Sequence, residues 1–191
     1  MVPRKLRRRQ GLRVIFATAV GAEFSADRAH RLLLWRIWDQ ATPPLGFVML
    51  NPSSADETRD DPTTILNMVR ARAAGYGGVV QANLYSYRTP SPRKLKQAGY
   101  PGFACADEGN ARAWKQLVNA CADVVLVWGA HARCHKGVQV DGDRAVWMLT
   151  TFFPQEFGIR APRLLCLGRL KGGAPRHPLH TAYAVPLQDF I

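Results

Sequence analysis

Asn51, Asn83 and His177 are the side chains of this sequence best suited to chemistry on a small polar ligand, and each stands at or beyond the end of a hydrophobic run. A carboxamide carries donors and an acceptor and can orient a water molecule, but it cannot serve as an efficient general base. A neutral imidazole can donate to an oxygen that gains negative charge. The segment after Asn51 adds Ser53 and three carboxylates, Asp56, Asp60 and Asp61. Such acids can polarise water, stabilise positive charge, ligate a metal ion or simply close a loop. Asp61 directly before Pro62 also reads as a helix cap. His131 follows Trp128-Gly129, and Lys136 before Gly137, with Arg169 and Lys171 before Gly172-Gly173, suit the positioning of phosphates. Neither GxGxxG nor GxxxxGK[ST] occurs, which argues against a dinucleotide or P-loop site.

The runs that must position these groups are 46–50, 79–84, 124–128 and 164–167, short and apolar like buried strands. Between the first two, Ile65, Val69 and Ala73 follow a helical period from the Asp61-Pro62 start to Gly75, giving a β-loop-α-β crossover of the kind parallel strands need. A second helix is expected from about 107 to 121, with Ala111, Trp114, Leu117 and Val118 on its buried face, after the Pro-rich YRTPSPRKL segment. Residues 146–153 fit a helix or an extended piece equally well. Upstream, 12–20 reads as extended, and Ser25 is expected to cap a helix carrying Ala29, Leu32, Leu33 and Ile37 into the core, with Trp35 and Trp38 packing near its end. The predicted architecture is a single three-layer α/β/α domain over 14–191 with a central, mostly parallel four-stranded sheet, preceded by a basic arm over 1–13. Parallel sheets place ligands beyond the carboxyl ends of their strands, where Asn51, Asn83, His131 and His177 can meet.

The 191 residues, 47% hydrophobic, suffice for one domain with a real core. With 26 Lys or Arg against 14 Asp or Glu, the net charge of +12 points to a polyanionic partner, and Arg4, Lys5, Arg7, Arg8, Arg9 and Arg13 concentrate part of it in the arm. No long apolar stretch follows that arm, and none approaches the length that crosses a bilayer, so the expected compartment is cytoplasmic, with no membrane association. Cys105, Cys121, Cys134 and Cys166 form no CxxC pair and read as buried thiols.

The order and spacing of LNPSS, QANLYS, VVLVWGAHARCHKG and HPLHTAY resemble the uracil-DNA glycosylase superfamily, and MLNPSSADETRDDPT resembles the DUF1643 group. The first resemblance implies a shallow DNA-binding face around a base pocket. It places Asn51 where the family carries an Asp or Asn that holds the hydrolytic water. Ser53 falls where many uracil-specific members carry a bulky Tyr that excludes a 5-methyl group. Asn83 corresponds to the strand-terminal Asn that reads the flipped base, with Tyr85 and Tyr87 nearby. His177 corresponds to the histidine that stabilises the departing base, while Leu179 or His180 is placed to fill the space left by the flipped nucleotide. His131, Lys136, Arg169 and Lys171 then face DNA.

These expectations describe a monofunctional DNA glycosylase that hydrolyses the N-glycosidic bond of uracil or a related deaminated base. Asn51, helped by Asp56, would orient water; no cofactor, no metal and no obligate protein partner are required. Without a nominated catalytic Lys, Schiff-base chemistry is not expected. Two alternatives stay open: a noncatalytic nucleic-acid-binding module, and a nucleotide-processing enzyme that uses the Asp-rich loop with a metal.

Overall fold

The computed structural model describes residues 19–104, 106–129 and 136–191; the side chains of 136–140 are outside that description. The basic arm, Cys105, His131 and Cys134 therefore lie outside the described residues, as does the side chain of Lys136.

In chain order the elements are β1 (Val20–Phe24), β2 (Arg31–Ile37), β3 (Leu45–Met49), α1 (Pro62–Ala73), β4 (Gly78–Asn83), α2 (Pro92–Gln97), α3 (Glu108–Ala120) and β5 (Asp123–Leu126). They continue with α4 (Lys136–Trp147), a π-helical turn (Met148–Phe152), α5 (Phe153–Phe157), β6 (Arg163–Cys166), a 3-10 turn (Pro178–His180) and β7 (Gln188–Asp189). All seven strands form one sheet in the order β1-β2-β4-β3-β5-β6-β7. The pairs β3-β4, β3-β5 and β5-β6 are parallel, whereas β1-β2, β2-β4 and β6-β7 are antiparallel.

The expected four-stranded sheet is thus corrected to a mixed sheet of seven. The four anticipated runs are its adjacent parallel strands, and the error lies at the edges. The Ser25 helix does not form. Ser25 instead belongs to the β1-β2 turn, where its hydroxyl donates to Asp27 and Arg28 adopts a positive φ of 57°. The segment RLLLWRI that follows is a strand with nearly every residue buried. A run apolar on both sides carries no period to separate strand from helix, and a polar residue before it caps a helix no better than it makes a turn. β7 has only two exposed residues and gives no hydrophobic signal.

Alternation sorts the core into two layers. Phe47, Met49, Val79, Val125 and Leu165 face α1 through Ala71. Val48, Val80, Ala82, Val124 and Leu126 pack under Trp114 and Leu117 of α3 and under Ala145, Leu149 and Phe153 of the 136–157 segment, which is helical throughout. Trp35 packs at the edge of this second layer, and Trp38 borders the first, its indole N–H donating to the Tyr76 carbonyl at 2.9 Å. Cys121 and Cys166 are buried in the core. Among the described residues no helix is long and apolar enough to cross a membrane.

Candidate functional site

The loops after β3 and β4 are zipped together by the backbone. Leu84 and Tyr85 N–H donate to the Met49 and Leu50 carbonyls at 2.8 and 3.0 Å, and Thr89 N–H donates to Pro52 O at 2.9 Å. Asn51 completes the zipper: its Nδ2 donates to Pro52 O at 3.0 Å and to Thr89 O at 2.7 Å. Its amide nitrogen is therefore committed to the loop, which fixes the orientation of the remaining carbonyl oxygen.

The Asp-rich segment that follows is pinned by arginines. Arg36 of β2 reaches Asp60 Oδ1 at 2.8 Å and donates to Asp56 O at 2.7 Å. Arg28 forms a two-bond fork on Glu57. Arg88 donates to Ser53 O and Ser54 O and stands 4.0 Å from the Asp56 carboxylate. Asp56 itself accepts from the Thr58 and Arg59 N–H groups, which hold its pKa below the usual value. Asp61 caps α1 by accepting from Thr64 N–H at 2.8 Å. These acids thus close a loop and begin a helix, and among the described residues no group of three His, Cys, Asp or Glu side chains is placed to hold a metal ion.

At the carboxyl ends of the parallel strands lies a cleft of about 310 Å³. Met49, Asn51 and Ser53 line it from β3 and its loop, Asp61 and Thr63 from the start of α1, and Trp128 and Gly129 from the end of β5. His177, Leu179 and His180 close it from the last loop, and Arg31 reaches it from β2. Six residues singled out in the sequence, Asn51, Ser53, Asp61, His177, Leu179 and His180, therefore share one cleft. Asp56 is not among its lining residues.

His177 sits in extended backbone just before the 3-10 turn, and its Nδ1 accepts from Leu179 N–H at 3.2 Å. An acceptor Nδ1 means that a neutral ring carries its proton on Nε2. Thr181 Oγ1 donates back to His177 O at 3.0 Å. Beyond the turn, Arg70 of α1 donates to the carbonyls of Thr181, Ala182, Tyr183 and Val185, tying the terminal loop to the helix that Asp61 caps. Burial lowers the Arg70 pKa.

Gly129 couples β5 to this loop. It has φ +82°, its N–H donates to Pro175 O, and a Cβ built on it would lie 2.9 Å from His177 Cβ. Gly129→Ala is therefore expected to cost about 1–3 kcal/mol of stability and to push His177 out of place. Gly75, with φ +81° and open space around it, supplies the control, since Gly75→Ala imposes the backbone strain without the clash. Urea unfolding with a functional assay checks both, and a Gly129→Ala protein that behaves like Gly75→Ala in both would remove the coupling.

The other expected residues are elsewhere. Asn83 is 1% exposed at the end of β4, and neither Nδ2 nor Oδ1 of its carboxamide has a partner. Its backbone carbonyl accepts from Asn110 and Trp114. Asn83 pairs in register with Met49, so its side chain is on the same face of the sheet, one strand over, but it is not among the residues that line the cleft. Tyr85 is in the core, donating to Asp141, and Tyr87 packs edge-on against His30. Arg169 donates to Phe190 O and stacks on the Phe190 ring, while Lys171 is exposed in the loop between Gly168 and Arg176.

The sequence reading missed Arg31, Thr63 and Thr89 as lining residues and did not foresee Trp128 there. Arg31 is 1% exposed; its Nη1 donates to Ala55 O at 2.9 Å, and its Nε is buried without a partner. Desolvation lowers its pKa to about 10 against the opposing field of Asp61. Two arginines inside RLLLWRI were the available signal, because a cation buried in a strand must find acceptors nearby.

Compared with known families, residues 31–179 match the model described as "Protein of unknown function (DUF1643)". The chain belongs to the DUF1643 family. The DUF1643 match contains every lining residue named above except His180. No curated protein and no solved structure matches this DUF1643 chain.

Proposed function

We propose that this DUF1643 chain is a monofunctional DNA glycosylase of the uracil-DNA glycosylase type, hydrolysing the bond between a deaminated base and its deoxyribose. The observation that carries the reading is the meeting of Asn51 and His177 in one cleft at the carboxyl ends of parallel strands. The cleft volume is near the lower end of small-ligand sites, about 300–1,000 Å³, and suits a single extruded base.

In this mechanism the Asn51 carbonyl oxygen holds a water against C1′ of the flipped nucleotide. As the C1′–N bond breaks, its electron pair passes to the base, and the Nε2–H of His177 donates to the base oxygen that gains charge. The water oxygen bonds to C1′ and loses a proton to solvent, and the departing base is protonated from solvent. Asp56 keeps at most an indirect part, through the loop that it closes. Arg169, Lys171 and the net charge of +12 favour the phosphate backbone, and Leu179, 49% exposed at the cleft rim, is placed to enter the gap left by flipping.

The commitment of Asp56 and Asp60 to arginines and backbone amides weighs against a nucleotide-processing enzyme that would draw its metal ligands from that loop. A noncatalytic nucleic-acid-binding module is distinguished by function. Incubation in metal-free buffer with DNA carrying uracil, thymine, hypoxanthine or a normal base is expected to release uracil most readily. The small Ser53 should admit thymine to a measurable degree. Saturable binding without free base would favour the binding module.

A further inference from the structure

Two charged side chains of opposite sign line the cleft without pairing to each other. Asp61 is 6% exposed and spends Oδ1 on Thr64 N–H. Arg31 is 1% exposed and spends Nη1 on Ala55 O. No ion pair joins them among the described residues, although Asp61 is the largest charge opposing the desolvation of Arg31. A buried guanidinium with an unpartnered Nε, beside a buried carboxylate with one oxygen uncommitted, is costly unless a ligand meets both. What such a ligand needs is an acceptor next to an N–H. The carboxylate takes the N–H, and the guanidinium donates to the acceptor.

We propose that Arg31 and Asp61 form the specificity floor of the cleft and bind the lactam edge, –NH–C(=O)–, of an oxo-pyrimidine or oxo-purine. Arg31 donates to the carbonyl and Asp61 accepts from the ring N–H. Asn83, the residue that the family resemblance points to for this task, is buried one strand over from Met49 and is not a lining residue. The proposal rests on the base-pocket reading of the cleft but not on hydrolysis.

The test is equilibrium binding by ligand-detected NMR of bases whose glycosidic nitrogen is blocked by methyl, with 1-methyluracil against 1,3-dimethyluracil and 9-methylhypoxanthine against 1,9-dimethylhypoxanthine. The additional methyl group removes the one remaining lactam N–H that Asp61 would accept. The parental protein is expected to bind the member that keeps this N–H about tenfold tighter or more. Asp61→Asn keeps a helix-capping oxygen for Thr64 N–H but presents an amide donor in place of the uncommitted carboxylate oxygen. The preference is therefore expected to fall to near unity in that variant, whereas a purely steric preference would survive it.

The proposal is overturned by equal binding of the two members of each pair, or by an unchanged preference in Asp61→Asn. It is also overturned by no binding of any of the four bases, or by a preference that survives Asp61→Asn and disappears in Asn83→Ala. Failure of the glycosylase reading looks different: N–H-dependent binding through Asp61 persists, but no base is released from DNA.

Discussion

His177→Ala is expected to lower single-turnover base release by about 100-fold or more while leaving the unfolding midpoint close to parental. The size follows from the role. A donor already aimed at the oxygen that becomes negative stabilises the transition state more than the bound substrate, so its loss falls on the chemical step. The small structural cost follows from position: His177 precedes a single 3-10 turn that Thr181 and the four bonds from Arg70 also hold. His177→Gln offers a second donor without the ring and should recover part of the rate. A folded His177→Ala protein that releases base at the parental rate would remove His177 from the chemistry.

The second large effect is expected at Asn51. In the glycosylase resemblance, Asp and Asn are alternatives at this place, but here they are not interchangeable. Nδ2 of Asn51 donates to Pro52 O and Thr89 O, and Asn51→Asp would set a carboxylate oxygen against both carbonyls. The loss should be about 1–3 kcal/mol of stability, with base release falling further than His177→Ala alone explains, because the loops after β3 and β4 separate. Denaturant unfolding and single-turnover release on the same preparation check this. An Asn51→Asp protein as stable as the parent, with unchanged release, would show that the amide anchor is dispensable.

The parts of the fold that could be read in the sequence are those with one-sided or bounded patterns. The helix starting at Asp61-Pro62 carries its cap and its first-turn Pro in adjacent positions, and the structure has both. Asp107 likewise caps α3, whose Trp114, Leu117 and Val118 lie on its buried face. β3, β4, β5 and β6 were visible because strands buried on both sides become apolar runs. β2 was misread for the same reason, since such a run also fits a buried helix, and the mixed sheet of seven went unseen with it. The site shows the same division. Asn51 and His177 could be found because they end or follow readable strands in a recognisable order. The arginines of RLLLWRI carry a signal for Arg31 only once that run is read as a strand, and the helix reading hid it. Asn83 stands at the expected strand end and on the same sheet face as Met49, but it is buried one strand over and does not line the cleft.

The cleft between β3, β5 and the His177 loop is proposed to break a glycosidic bond and to leave the phosphodiester backbone intact. The most direct measurement is a single-turnover time course on a defined duplex with one uracil, in metal-free buffer, following free uracil by mass and abasic sites by alkaline cleavage. The two products are expected to appear together in equal amounts, with no strand break before alkali. Strand cleavage without free base, or tight binding with neither product, would contradict the proposal.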